Sequence, residues 1–441
     1  MLDSHARSAV ARLAASVLAV RPLVEGLGGP VRVVPVGRDA ADAPTAWSAR
    51  QWRDVERVLD RVARRAGVAG LALARNLSAD DLQVFERVVS DRLALAELVD
   101  AVASMPDDLL TEVDRIAAET MVDSFDGFFG KQSTLSYDGL PLNVYSAGPT
   151  GEAVVVVPAC GMPAALAESW MRFLARDRRV LAWESRGLFG AADHRGDYAV
   201  DTASQAADLF TVMDHYGVAS AHVVGLCGGA VIALAAAASQ PDRIISLSLW
   251  HGAYEFASGS PRTRFQNDLI ELMAVAAHSR AAAQSVQAVF WQVALTSTPA
   301  EVAHLVLYPY TSAELFYRYC RLNGTLARTD VEQYLTSVKQ PTLVVTSEDD
   351  ETAHPQGSRQ LAQGLPNTCL RVEAHGDHAS LFHADNTTLM QASVDFIAHS
   401  TTRAPGARLA DRGAPRDHRA RVHSGPPEHR IRSIRVKEGD P

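Results

Sequence analysis

The chain has 441 residues, 47% of them hydrophobic and 21% charged, with a formal net charge of −9. That length allows two or three domains, although one α/β fold absorbs about 250 residues alone, and the acidic balance argues against nucleic acid as a partner. No apolar run approaches the roughly 18 residues that span a membrane. Four widely spaced cysteines (Cys160, Cys227, Cys320, Cys369) lack metal-ligand spacing, so neither a metal nor a disulfide is expected, and a reducing cytoplasm is the expected compartment.

Residues 1–130 read as a mostly helical N-terminal region. The apolar patch Leu13 to Val20 follows Asp3, Arg7 and Arg12 and precedes Arg21 with no small-residue cleavage site, so it predicts an amphipathic helix and not a signal peptide. Ala46 to Ala66, Asp81 to Ser104 and Asp107 to Met121 carry apolar residues at three- and four-residue spacing. Val31 to Val36 is a single β-type run. Arg53, Arg57 and Arg61 stand one helical turn apart. Such a row either receives an acidic partner helix or pairs locally with Asp54, Glu56 and Asp60.

From residue 131 the pattern changes. Thr134 to Tyr137 and Leu142 to Tyr145, separated by Asp138-Gly139, predict a β-hairpin. Ala153 to Val157 is continuously apolar, as a strand buried on both faces must be. Val180 to Trp183, His222 to Leu226, Ile244 to Trp250, Pro341 to Thr346 and Leu370 to Glu373 are further strands. Helices at Ala164 to Ala175, Asp201 to His215 and Cys227 to Ala238 alternate with them. This alternation predicts a mostly parallel sheet with helices on both faces, split into residues 131–258 and 340–400. Residues 259–339 interrupt it as a helical insertion rich in aromatics, placed where such a fold carries a lid. Residues 401–441 hold 10 Lys/Arg against 5 Asp/Glu with few apolar side chains and are expected to be a disordered basic tail.

One stretch carries the chemistry. Gly225-Leu226-Cys227-Gly228-Gly229 joins a strand to an alanine-rich helix, the context in which G-x-nucleophile-x-G places a reactive side chain on a sharp turn. With 29 Gly and 4 Cys in the chain, chance supplies roughly 0.02 matches to G-x-C-x-G. The competing reading is a small buried cysteine at a helix start. A cysteine nucleophile needs a base, an orienting acid and an oxyanion hole. Candidate acids follow one late strand, in Ser347-Glu348-Asp349-Asp350-Glu351. Candidate bases follow the next, in Ala374-His375-Gly376-Asp377-His378. Both sets lie at strand carboxyl ends, where a doubly wound sheet gathers its site.

Residues 131 to 400 resemble the α/β-hydrolase superfamily. Trp183-Glu184-Ser185-Arg186-Gly187 is similar to its D-x-R-G turn, with Glu in place of Asp. Ser347-Glu348-Asp349-Asp350 is similar to its G-x-x-D turn, which puts the acid on Asp350, with Asp349 as competitor. Gly376-Asp377-His378 is similar to its G-x-H ending, which favours His378 over His375 and His383. The usual His-Gly of the oxyanion loop is replaced by Pro158-Ala159-Cys160-Gly161-Met162-Pro163. The resemblance implies one oxyanion N–H from Gly228 and another from Ala159 to Met162, with Cys160, Gly161 and Met162 as candidates.

The family's usual nucleophile is serine, so Cys227 points to a particular reaction. A hydroxyl attacking a thioester makes an oxyester that water hydrolyses. A thiolate makes another thioester, in an exchange that is nearly isoenergetic. A neighbouring histidine favours the thiolate needed for it. The Cys elbow and the N-terminal helical region resemble the Cys-dependent aminoacyl transferases of nonribosomal peptide pathways, of the syringomycin and coronamic acid type. That resemblance implies an acyltransferase acting between the phosphopantetheine thiols of acyl or peptidyl carrier proteins, with no cofactor bound to the chain itself. The alternatives are a thioesterase, a hydroxyacyl-thioester polymerase similar to polyhydroxyalkanoate synthases, and a non-catalytic scaffold. Dienelactone hydrolases also use cysteine but lack a large N-terminal region and a lid.

Overall fold

The computed structural model describes residues 2–36, 47–102, 110–194, 196–383 and 386–401. Apart from Thr401, the expected basic tail lies outside the described residues. Two short strands, β1 (Val31–Val33) and β2 (Leu71–Leu73), pair in parallel in the N-terminal region. The main sheet has eight strands: β3 (Gln132–Leu135), β4 (Pro141–Ala147), β5 (Ala153–Val157), β6 (Arg179–Trp183), β7 (Ala221–Leu226), β8 (Ile244–Trp250), β9 (Thr342–Ser347) and β10 (Thr368–Glu373). Their order is β10-β9-β8-β7-β5-β6-β4-β3. The β3–β4 and β4–β6 pairs are antiparallel and the others parallel. Every residue of β5 and β7 is buried, as expected of strands covered by helices on both faces. From β5 the chain crosses to β6 on one side and returns to β7 on the other. The carboxyl ends of β5 and β7 therefore meet at the switch point, where a sheet of this kind opens a crevice for ligands. Asp201 caps the helix Thr202–His215 by accepting the Ser204 N–H, as its place in the sequence predicts.

The N-terminal region and the insertion share a core. Helix Ser4–Leu27 buries Val10, Val17, Val20 and Leu23, and these belong to one apolar cluster with Phe290, Phe316 and Cys320 from the insertion. The change of texture near residue 130 is therefore not a break in packing. Helix Ala49–Arg65 starts with a capping box between Ser48 and Gln51. Its arginine row meets a partner in the same chain. Arg61 donates through Nε to Asp114 of helix Leu110–Asp123 at 2.7 Å. Arg57 lies 3.6 Å from Asp54. The insertion contributes helices Arg264–His278, Arg280–Ser297, Ala300–Val306 and Ala313–Leu326. The last of these is clasped to the core by the buried Arg318, whose guanidinium donates to the carbonyls of Gly187 (2.8 Å), Ala191 (3.0 Å) and His194 (2.6 Å).

Candidate active site

Cys227 sits between β7 and helix Gly228–Ser239 with φ 54° and ψ −124°. A non-glycine residue with positive φ is uncommon, and strain of this kind is held only by a rigid surround. Here the Cys227 N–H donates to the Trp250 carbonyl at 2.9 Å, tying the turn to the end of β8. The flanking glycines are required by close backbone approach. A Cβ on Gly225 would lie 2.7 Å from the Gly229 carbonyl oxygen, and one on Gly229 would lie 2.6 Å from the Pro158 carbonyl oxygen and collide with that of Val157. The elbow is thus pressed against the loop that leaves β5.

The turns after β9 and β10 bring Asp350 and His378 together, with His378 Nδ1 2.9 Å from Asp350 Oδ2. Asp350 is buried. Its Oδ1 accepts the N–H groups of Thr352 (2.9 Å) and Ala353 (2.8 Å). Its Oδ2 is shared with Nδ1 of a second histidine, His251, at 3.0 Å. Burial opposes ionisation of this carboxyl, but the charge of His378 and the bonds from both histidines overcome it and hold it far below the usual carboxylate range. Burial likewise opposes charge on His378. The Asp350 carboxylate and the nearby Cys227 outweigh it and raise the imidazole well above its ordinary value. Cys227 and His378 both line one cavity, and among the described residues Nε2 of His378 has no hydrogen-bond partner.

The competitors lie elsewhere. Asp349 and His375 are both exposed, and they face each other at 3.3 Å. His383 lines a separate cleft. Among the described residues, the His/Cys/Asp/Glu cluster compact enough to ligate a metal is His251, Asp350 and His378. Both of its Nδ1 atoms already face one carboxylate oxygen.

Beside the elbow, the Ala159–Met162 loop is held by several bonds. Gly161 N–H donates to Ser185 Oγ at 2.7 Å, and Met162 N–H to the Ala159 carbonyl at 3.1 Å. Ser185 belongs to the turn after β6, and Arg186 beside it fixes that turn. Its buried guanidinium donates to Asp208 (2.8 Å), Asp138 (2.7 Å) and the Ala199 carbonyl (2.7 Å). Glu184 in the same turn is buried and accepts from Asn143 Nδ2 at 2.7 Å. Burial pushes its carboxyl up. Cys160 is buried with its thiol 3.2 Å from Gln205 Oε1, and burial pushes that thiol up to about 12. Of the loop, Ala159 and Met162 line the cavity along with Gly228.

The cavity holds about 240 Å³, below the range of about 300–1,000 Å³ common for drug-sized ligands. Its walls are mainly apolar, with Val231 from the core and Phe265, Ile270, Met273 and Phe290 from the insertion. It shares Leu166, Val302 and Phe382 with a larger cleft of about 1460 Å³ between helix Ser4–Leu27, the core and the insertion. His251 and Asn323 were not legible as site residues. Neither belongs to a local motif, and each meets the site only through the packing of distant segments.

The family model described as alpha/beta hydrolase fold matches residues 152–385. The chain belongs to the α/β-hydrolase fold family. Within that family it is 27% identical over 272 residues to the candidate carbamate hydrolase RutD of Variovorax paradoxus (strain S110), covering 60% of this chain and 99% of that one. It is 29% identical over 158 residues to the L-allo-isoleucyltransferase of Pseudomonas savastanoi pv. glycinea, covering 35% of this chain and 55% of the relative. An esterase from Thermogutta terrifontis superposes with a TM-score of 0.50 at 18% identity, over 62% of this chain and 99% of the esterase. Such a likeness speaks to the fold alone. No helix among the described residues is long and apolar enough to cross a membrane.

Proposed function

We propose that this α/β-hydrolase-fold chain is an acyltransferase that moves an acyl or aminoacyl group between phosphopantetheine thiols of carrier proteins, through an acyl-Cys227 intermediate. The observation that carries the proposal is a cysteine at the strained elbow, next to an imidazole whose charged form is favoured. In the first half-reaction the Cys227 proton passes to His378 Nε2, while Asp350 holds Nδ1. The thiolate attacks the thioester carbonyl, and the Gly228 N–H and a donor from the Ala159–Met162 loop receive the oxyanion. The carbonyl re-forms, the C–S bond to the first carrier breaks, and that thiolate takes the proton from His378. In the second half-reaction His378 takes the proton of a second carrier thiol, which attacks the acyl-Cys227 carbonyl and regenerates the Cys227 thiolate. The partial similarity to a transferase supports this reading. This reading assigns the approach of the long thiol arm to the larger cleft, which shares lining residues with the cavity.

A thioesterase reading is favoured by the similarity to RutD and differs only in the acceptor. The test is to load the chain from a labelled acyl carrier, detect acyl-Cys227 by intact mass, and then add a second holo carrier. Label on the second carrier supports transfer, and free acid formed at the same rate with or without that carrier refutes it.

A further inference from the structure

The wall of the cavity beside the elbow contains a hydrogen-bond acceptor with no partner among the described residues. Asn323 lies near the end of helix Ala313–Leu326 and donates through Nδ2 to the carbonyls of Cys160 (3.1 Å) and Tyr319 (3.2 Å). Both amide hydrogens are thereby engaged. Turning the amide over would set its oxygen against two carbonyl oxygens, so the network fixes which atom is Oδ1. That oxygen lies 3.6 Å from the point a Cβ on Gly228 would occupy, and Asn323 lines the cavity. No described residue donates to it.

Its position is informative. Gly228 follows the nucleophile, and the acyl carbonyl must reach that N–H to form the oxyanion. An acceptor dipole beside a developing oxyanion is unfavourable unless a donor lies between them. A donor carried on the carbon next to the carbonyl would meet that need. We infer that Asn323 Oδ1 receives the α-ammonium of an aminoacyl thioester, so that the site selects aminoacyl over simple acyl groups. This rests on the acyl-Cys227 reading above.

The carboxylates able to meet an ammonium are placed elsewhere or already paired. Glu168, Glu184 and Glu314 line the larger cleft and not the cavity. Asp349 is exposed beside His375. Glu255 lines the cavity but is paired with Arg262, whose Nε donates to it at 3.0 Å. A neutral amide also suits the place better than a carboxylate, because it meets an ammonium without setting a full negative charge against the oxyanion.

The test uses matched pairs of carrier thioesters, leucyl with 4-methylpentanoyl and alanyl with propanoyl, and reads the rate of acyl-Cys227 formation by intact mass. The full chain is expected to acylate at least about tenfold faster with each aminoacyl member, the gain of one hydrogen bond to a charged group. Asn323→Ala is expected to bring the ratio toward one by slowing the aminoacyl member. N-formyl-leucyl thioester, whose nitrogen carries no charge, is expected to be as slow as the des-amino member, and needs no variant. Equal rates within the pairs on the full chain, or a ratio unchanged in Asn323→Ala, overturns the inference while leaving acyl-Cys227 in place. Absence of acyl-Cys227 from all of these thioesters overturns the underlying reading as well.

Discussion

Replacing Asp350 by asparagine tests the centre of the site with little change in shape. The carboxylate accepts four hydrogen bonds, two backbone N–H at Oδ1 and two imidazole Nδ1 at Oδ2. In Asp350→Asn the amide oxygen must face the two backbone donors, so the NH2 group faces the two rings. His378 can then accept at Nδ1 only as the tautomer protonated at Nε2, which presents a proton to Cys227 and cannot take one. Two bonds to a charged acceptor are lost, each worth about 1.5–3 kcal/mol. The charge that raises the His378 imidazole goes with them. Loss of a positioned base slows a reaction by about 10²–10⁴-fold, and that is the expected fall in single-turnover acylation of Cys227 by an acyl carrier at pH 7. The iodoacetamide rate is expected to fall too, and its pH profile to lose the limb set by His378. Asp349→Asn is the control, expected to acylate at the parent rate because that residue is exposed. Acylation of Asp350→Asn within about threefold of the parent, far short of the range above, would show that the orienting acid lies elsewhere.

Further outcomes follow from the same contacts. Cys227→Ala is expected to retain no acyl label from any carrier. Cys227→Ser is expected to form an oxyester that releases free acid more than it transfers, read by partition of label between a second carrier and solution. Gly229→Ala forces a Cβ against the Val157 and Pro158 carbonyls, and overpacking of that kind costs about 1–3 kcal/mol, visible as a lowered denaturant midpoint. Arg186→Met leaves Asp208, whose side chain is 1% exposed, without its cation, and breaking a buried pair from one side costs about 3–5 kcal/mol. Chemical denaturation measures that loss, and an unchanged midpoint would refute the role given to this pair. The His378 contribution to stability, with its raised folded value, is full below the unfolded value near pH 6.5 and lost as pH rises through the folded one. The Asp350 contribution is full above its unfolded value near pH 3.9 and lost as pH falls toward the depressed one. Midpoints of Asp350→Asn and the parent should therefore converge on acidification, which a urea series across pH would measure.

What the sequence made legible was local. The strand-turn-helix around Cys227 and the two late turns could be read because glycine spacing and strand ends mark them within a few residues. The capping aspartate at 201 and the hairpin turn at Asp138-Gly139 were legible for the same reason. What was not legible depended on distant segments meeting. The run at Val31 to Val36 reads as β-type and holds β1, but its partner β2, forty residues on, is three residues long and too short for a periodic signal. His251 reaches Asp350 across ninety-nine positions, and Asn323 reaches the Cys160 carbonyl across one hundred and sixty-three. The core shared by the N-terminal helices and the insertion is of the same kind, since each half shows only an apolar stripe and neither names its partner.

The proposed chemistry and the architecture meet in the proton on His378. The Asp350 carboxylate favours the charged form of the imidazole, and so favours its taking the proton of the attacking group. A thiol gives up its proton more readily than a hydroxyl, and its thiolate is the reactive form. When the first carrier thiolate leaves and takes the proton, His378 is left neutral at the moment the acyl-enzyme forms. It is then the base for whatever enters next. In the proposed cycle water and a second thiol compete for it, and the apolar cavity is expected to favour the thiol. Its walls are mainly apolar, and it shares Leu166, Val302 and Phe382 with the larger cleft. These walls offer water few hydrogen bonds at the point of attack, whereas a thiol needs few. In the proposed reaction, transfer over hydrolysis then depends on two things together, the sulfur at position 227 and the apolar lining that the insertion contributes to the cavity beside it.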